Sequence, residues 1–435
     1  MNGDKHNILI LGGGFVGITL AAKLLKKKSI NVVIVESDDR KLERFKSQNY
    51  GVFEPGLDVI LNKAVKKSKL KFSRKIPEDI FNVCFICIGT PKNQTAESSL
   101  NLLGDIMIDV VNNMDQRGNI YLRSTVRVGT TFKLAKFILN NTQKDIKIFY
   151  APERTAEGVA LIELNSLPQI LGAINIEDLA AGREELSSFG FSVVEASSTE
   201  EAEFIKLICN VWRDSVFALS NEFAVFAENL RIDISKVILK ANFNYPRGKI
   251  PLPGPVGGPC LSKDTYILLD SLNHALKNDS VVFAARKRNE SMLAMVLQKI
   301  STYKLLRSDA STIVFLGSAF KGKPKTNDFR DSLTKIVIEN LLSSQVNLKI
   351  GIWDPTIDPI DLYESSNFYI KQLEAFLPDI VVIGNNSDLL FSDQVIRYLQ
   401  KLDDTKLIID MWGITNQITQ IRCKVYVFGE GSKNR

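Results

Sequence analysis

The sequence predicts an α/β protein: two doubly wound parallel-sheet domains joined by a central helical domain with one long helix. Three observations carry this. Short apolar runs, each ending in turn residues and followed by a helical stretch, recur between residues 7 and 195 and again between 312 and 410; such runs suit strands buried on both faces. Between them, residues 198–230 keep an uninterrupted three- and four-residue apolar rhythm. A glycine cluster follows the first apolar run. The expected division is 1–197, 198–306 and 307–435, and 435 residues suffice for two or three real cores.

Composition narrows the function classes. The chain is 45% hydrophobic and 24% charged, with a net charge of +6 spread along it. No basic block is interleaved with aromatics, which argues against nucleic acid and mildly favours small anionic ligands. Five cysteines are an odd number, so a complete disulfide framework is not expected and a reducing cytoplasm fits. Cys84 and Cys87 lie inside the apolar run Phe81 to Ile88 and read as core. The two histidines, His6 and His274, have no other ligand types near them, so no metal site is expected. No signal-peptide core and no apolar run of membrane length is present, so no membrane insertion is expected.

The elements follow in order. Asn7 to Leu11 is a strand that enters Gly12-Gly13-Gly14-Phe15-Val16-Gly17 and then a helix from Ile18 to Lys28. Gly12, Gly14 and Gly17 form GxGxxG: a tight turn, room for a pyrophosphate, and close helix–strand packing. The helix N-terminus then faces the phosphates. The next strand, Val32 to Val35, ends in Glu36, the place of a ribose-binding acid, which favours NAD over NADP. The first domain is therefore expected to be Rossmann-like.

Glu54-Pro55-Gly56-Leu57 breaks the rhythm before a helix to Lys69. A strand from Val83 to Ile88 runs into Gly89-Thr90-Pro91, a loop at the carboxyl end of a strand, where open parallel sheets bind ligands. Ile120 to Leu122 leads into Arg123-Ser124-Thr125-Val126-Arg127; Ser124 and Thr125 either donate to a cofactor or cap the next helix. Lys147 to Tyr150 ends in Pro152-Glu153-Arg154, with Glu157 and Gly158 beyond, unusual punctuation that suggests a site. Strands at Gln169 to Gly172 and Ser192 to Glu195 complete the domain.

The long helix places Lys206 and Asn210 four apart on one face. After Asn242 to Arg247 a Gly/Pro-rich loop leads to Gly257-Gly258-Pro259-Cys260-Leu261-Ser262-Lys263-Asp264, a thiol, an amine and a carboxylate within five residues. Lys263 could favour the thiolate or bind an anion, and Asp264 could orient water or take a proton. A helix from Val281 to Leu297 follows. Strands at Thr312 to Leu316, Lys349 to Trp353, Ile380 to Ile383 and Lys406 to Ile409 build the last domain. Its loop from Lys321 to Ser332, carrying Lys323, Lys325 and Arg330, either holds a diphosphate or is simply solvated.

Taken together, GGGFVG at 12–17, EPGL at 54–57, GTP at 89–91, STV at 124–126, PER with EG at 152–158, EFIKLICN at 203–210, GGPCLSKD at 257–264 and AFK with DFRDS at 319–332 resemble the UDP-glucose/GDP-mannose dehydrogenase family over nearly the whole chain. The resemblance implies an NAD-dependent oxidation of a sugar CH₂OH to a carboxylate in two hydride transfers, in the service of polysaccharide biosynthesis. It implies Cys260 as the nucleophile that forms a thiohemiacetal and then a thioester. Lys206 and Asn210 would steady oxyanions, Asp264 would hold Lys206 or activate water, and Glu153 would orient the hydrolytic water beside Thr125. Gly12, Gly14, Phe15, Val16, Gly17, Glu36, Thr90, Ser124, Thr125, Glu157, Lys263 and Arg330 would contact the cofactor. Glu153, Arg154, Lys206, Asn210, Arg247, Gly257 and Lys321 would contact the sugar nucleotide, Arg247 from across a homodimer built on the central helix.

The run PERTAEG…EL…LPQILG looks more like the UDP-N-acetylhexosamine enzymes (ManNAc or GlcNAc) than the UDP-glucose ones, with UDP-glucose close behind. Ser262 stands where the family often has Pro, which predicts a looser loop; Arg127-Val128 replaces a frequent Pro-Pro, and Pro259 precedes the Cys where subtypes carry Ser or His. Two rivals are a dehydrogenase making one hydride transfer, which would need no Cys260, and a sugar-nucleotide sensor, which predicts a lost nucleophile.

Overall fold

The computed structural model describes residues 6–79, 81–89, 96–272, 279–307, 312–344, 348–359, 362 and 368–430. Thr90 and His274 lie outside them. The chain forms two compact units, Met1–Cys209 with Ile267–Asn273, and Asn210–Tyr266 with His274–Arg435.

In the first unit the strands are β1 (His6–Leu11), β2 (Ile30–Val35), β3 (Leu70–Ser73), β4 (Phe81–Ile86), β5 (Met114–Leu122), β6 (Asp145–Tyr150), β7 (Gln169–Ala173) and β8 (Val193–Glu195). Among the described residues they form one sheet in the order β3-β2-β1-β4-β5-β6-β7-β8. The helices between them are α1 (Phe15–Leu24), α2 (Asp39–Lys46), α3 (Leu57–Lys66), α4 (Ala96–Asn112), α5 (Thr130–Leu139), α6 (Ala160–Ser166) and α7 (Leu179–Ser188). Strand alternation explains the two-sided core. Ile8 and Ile10 join one buried cluster with Ile34, Val83 and Phe85, while Leu9 and Leu11 join the other with Val33, Cys84 and Ile86. Cys84 and Cys87 are core residues, and burial pushes the Cys87 thiol up to about 12. One pair departs from the parallel pattern: β6 and β7 run antiparallel, with Tyr150 opposite Gly172.

The long helix α8 runs Thr199–Leu230, 32 residues, roughly 48 Å at the α-helical rise. It is followed by α9 (Ile234–Asn242), α10 (Leu261–Leu269) and α11 (Val281–Leu306). Ser280 caps α11 by accepting from the Phe283 amide, and α11 continues nine residues beyond the expected end at Leu297 because no breaker intervenes before Arg307.

The second sheet, β9 (Thr312–Leu316), β10 (Lys349–Trp353), β11 (Ile380–Ile383), β12 (Leu407–Asp410) and β13 (Lys424–Val427), is parallel throughout in the order β10-β9-β11-β12-β13, with α12 (Leu333–Ser343) and α13 (Asp393–Gln400) against it. Ile313 and Phe315 face one cluster, Val314 and Leu316 the other.

Candidate active site

In the first unit the glycines at 12–17, Glu36, Ser124-Thr125 and Glu153 follow the carboxyl ends of β1, β2, β5 and β6, and β1 has β2 on one side and β4 on the other. Gly12 turns with φ +104°, and a Cβ on Gly17 would lie 1.9 Å from the Gly12 carbonyl oxygen, so α1 packs here only without one. Nothing lies within 4 Å of a Cβ built on Gly14, and no side chain caps α1, which begins at Phe15 and Val16. The carboxylate of Glu36, just past β2, accepts from the Gly13 amide at 3.1 Å, the Asp38 amide at 3.0 Å and Lys41 Nζ at 3.2 Å. A glycine turn, an uncapped helix start with open space above it and an acid at the end of β2 fit a dinucleotide.

After β5 the loop 123–129 leads to α5. Ser124 Oγ donates to the carbonyls of Ile88 at 2.6 Å and Ile86 at 3.3 Å. Thr125 next to it is half-buried. Neither caps α5. That end is instead held by Glu203 of α8, whose carboxylate accepts from the Gly129 amide (2.6 Å), the Thr131 amide (2.8 Å) and Thr131 Oγ1 (2.6 Å). Burial pushes the Glu203 carboxyl up to about 7 even with these donors.

Glu153, past β6, is buried and paired with the fully buried Arg123 at 2.5 Å. It also accepts from the amides of Arg154 and Thr155, each at 2.8 Å. Burial alone would raise its pKa; the Arg123 guanidinium and the Thr155 donors outweigh it and hold Glu153 below the usual carboxylate range. It is thus a fixed, ionised acceptor, suited to orienting a water. Arg154 Nη2 donates to the Pro168 carbonyl. Glu157 is half-buried in the same loop. Glu54 of the EPGL motif accepts from the amides of Gly158 and Leu161, both at 3.0 Å, and so fixes the start of α6. Lys206 is buried on α8 at 7% exposure, and no ion pair or hydrogen bond to it is seen among the described residues.

In the second unit Cys260 is exposed and stands immediately before α10; its carbonyl accepts from the amides of Lys263 and Asp264. A helix N-terminus favours negative charge, so it suits a thiolate. Asp264, 1% exposed, is held on both oxygens: Oδ2 accepts from Asn210 Nδ2 at 2.6 Å and Oδ1 from Lys263 Nζ at 3.1 Å. Sequence reasoning gave Lys263 to the thiol or an anion; the structure pairs it with its neighbour. A Cβ on Gly258, at φ +90°, would lie 2.5 Å from the Phe320 ring, and one on Gly257 2.4 Å from the Asp331 carbonyl. Ser262 does not loosen this loop. Its hydroxyl reaches Asp331 Oδ2 at 3.0 Å and donates to the Gly258 carbonyl at 2.7 Å, restraints that proline would lack.

Lys321 and Arg330 are the chain neighbours of Phe320 and Asp331, which pack against this loop. Arg330 is exposed and bound to Asp328 at 2.6 Å, Lys321 lies over the Phe320 ring, and Arg247 is exposed with its guanidinium 4.6 Å from the Tyr245 ring centre. Asp354, just past β10, accepts from the amide of Ser318 in the loop after β9 at 2.7 Å, as Glu36 does from Gly13. Arg123 and Glu203 escaped sequence reasoning although both lie within or beside quoted motifs, because their partners are 30 and 72 residues or more away. Among the described residues no group of three or more His, Cys, Asp or Glu could hold a metal, and no helix is long and apolar enough to cross a membrane.

Comparison with known proteins adds independent findings. Residues 6–186 match the NAD binding domain of the UDP-glucose/GDP-mannose dehydrogenase family, and residues 200–291 match its central domain. The chain is 28% identical over 430 residues to a UDP-N-acetyl-D-mannosamine dehydrogenase of Methanococcus vannielii, covering 95% of each chain. It is 30% identical to the enzyme of that name from Methanococcus maripaludis, over 81% of this chain and 80% of the other. The solved structure of a UDP-D-ManNAc dehydrogenase from Pyrococcus horikoshii superposes with a TM-score of 0.82 at 25% identity, over 98% of this chain and 99% of that one.

Proposed function

This chain belongs to the UDP-glucose/GDP-mannose dehydrogenase family, and from that premise we propose that it oxidises C6 of a UDP-N-acetylhexosamine, UDP-N-acetylmannosamine in the first place, to the uronic acid. That it is an NAD-dependent UDP-sugar dehydrogenase follows from the family; the sugar, the residue roles and the assembly are the proposal. The N-acetylhexosamine class is supported by the run PERTAEG, and N-acetylmannosamine within it by the names of the relatives. One observation carries the chemistry: an exposed Cys260 at the start of α10, with the buried Asp264 one turn on and bonded to Lys263 and to Asn210 of α8.

NAD⁺ supplies the acceptor for each hydride that leaves C6. Loss of the first hydride and the hydroxyl proton gives an aldehyde. The Cys260 thiolate then bonds to C6, and the carbonyl oxygen takes a proton to give a thiohemiacetal. Loss of a second hydride and that hydroxyl proton leaves a thioester. Water adds, the C–S bond breaks, and the carboxylate and thiol are released. In this scheme Lys206 and Asn210 steady the oxygen as charge develops on it, Asp264 fixes Asn210, and Glu153 orients the water beside Thr125. Residues 1–197 hold the cofactor and residues 307–435 the nucleotide of the substrate, with Lys321 and Arg247 toward it.

A homodimer is part of the same reading. Trp212, Leu219, Phe226 and Leu230 recur along α8 at helical spacing and are 70%, 55%, 51% and 68% exposed; a stripe of this size on a soluble chain fits a second copy. The product would be an activated uronic acid for polysaccharide assembly in the cytoplasm.

The test is NADH yield with UDP-ManNAc, UDP-GlcNAc, UDP-glucose and GDP-mannose, on wild type and Cys260→Ser. Two NADH per UDP-ManNAc, with steady turnover lost in the variant, is the expected result. One NADH per sugar would point to a single hydride transfer, and tight sugar-nucleotide binding without NADH would point to a sensor.

A further inference from the structure

The segment that carries Cys260 is gripped at both ends by a buried polar chain that none of the family motifs includes. At one end Asn221 and Gly254 bond reciprocally: Asn221 Nδ2 donates to the Gly254 carbonyl at 3.1 Å, and the Gly254 amide donates to Asn221 Oδ1 at 2.8 Å. Asn221 Nδ2 also reaches Asn289 Oδ1 at 2.9 Å. Asn289 Nδ2 donates to Asp214 Oδ1 and to the Asp214 carbonyl, both at 2.8 Å. At the other end Arg286 Nη1 bridges Asp214 Oδ1 at 2.8 Å and the Leu261 carbonyl at 3.0 Å, while Thr265 Oγ1 reaches Asp214 Oδ2 at 3.3 Å. Asp214 and Asn221 come from α8, Arg286 and Asn289 from α11, and all four are at most 3% exposed.

A buried ion pair is a poor way to gain stability, because an apolar pair of similar volume often serves as well or better. What Arg286 gives and an apolar side chain cannot is a donor to the carbonyl of the residue after Cys260. We propose that Asp214, Arg286, Asn289 and Asn221 are positioning residues: they fix Gly254 and Leu261, and through them the place at which Cys260 is presented. The proposal rests on the reading of Cys260 as nucleophile. Arg286 sets the first turn of α10, Asp214 aims Arg286 and Thr265, and the two asparagines carry the same restraint back to Gly254.

The test uses the full chain. The double variant Asp214→Leu/Arg286→Met replaces the pair by apolar groups and removes the donor to Leu261. The readouts are the rate of iodoacetamide alkylation at Cys260, resolved by peptide mass spectrometry, together with kcat, the NAD⁺ dissociation constant and Tm. We expect a folded protein with NAD⁺ binding unchanged, alkylation at Cys260 altered several-fold and kcat lowered by about tenfold or more, since small misplacements of a reacting group cost this much. Arg286→Lys, which keeps a donor, should recover part of the loss. Thr265→Val removes only the hydroxyl on Asp214 and decides in the same way if the double variant does not fold. Wild-type alkylation and kcat in a folded variant would overturn the scaffold. Wild-type turnover in Cys260→Ser would instead overturn the reading of the nucleophile, whatever the scaffold variants do.

Discussion

Glu203 offers the sharpest check on the electrostatics. Its carboxyl is raised from 4.5 to about 7, chiefly by burial, against the opposing donors of Thr131 and Gly129. A group raised in the folded state contributes stability that is present below its unfolded value and lost as pH rises through the folded one. The distance from 4.5 to about 7 corresponds to about 3 kcal/mol, most of it lost between pH 5 and pH 8. For a unit of this size that is roughly 6–12 °C in melting temperature. Glu203→Gln cannot ionise and should not show this decline. The variant also gives up hydrogen bonds to Gly129 and Thr131, at about 1 kcal/mol each, so it should be the less stable protein at pH 5 and should close the gap, or pass wild type, by pH 8. The assay is thermal unfolding of both proteins across this range. Profiles that run parallel would show that the carboxyl is ionised throughout and that burial does not dominate here.

Three further outcomes follow from particular contacts. Arg123→Met leaves Glu153 buried and charged, at a cost of about 3–5 kcal/mol in thermal unfolding, and adding Glu153→Gln should recover much of it without restoring turnover. Gly258→Ala drives a Cβ against the Phe320 ring at a φ that disfavours it; kcat should fall by about tenfold or more with NAD⁺ affinity intact, and an unchanged kcat would show that the loop yields freely. Trp212→Glu with Leu219→Glu should convert a dimer to a monomer in light scattering, whereas an unchanged mass would remove α8 from the interface.

The fold and the motif positions were legible because they are written locally. The continuous apolar runs of β1 and β9, the unbroken rhythm of α8 and the glycines at 12–17 each report on neighbours within a few residues. The strands β3 and β13 were not foreseen: LKFS and KVYV are short and half-polar, and they become strands by pairing with β2 and β12 at the sheet edges. The antiparallel turn of β6 onto β7 was hidden for the same reason, since strand direction is settled by the path of the loop from Ala151 to Val159 and not by the residues that pair.

What stayed out of reach shares one physical pattern. Glu54, Glu203, Asp214 and Asp354 are buried carboxylates that accept from groups 36 to 107 residues distant, three of them from the backbone amides of a loop they hold in place. On a sequence such an acid looks like any solvated Glu or Asp, because its meaning lies wholly in a partner brought up by the fold. Its chemistry nonetheless explains its type. A loop that must present a thiol or a phosphate site exposes amides that cannot be left unpaired when buried, and a carboxylate can accept two or three of them at once. The motifs of this chain name the groups proposed to meet substrate and cofactor; these carboxylates hold the backbone around them.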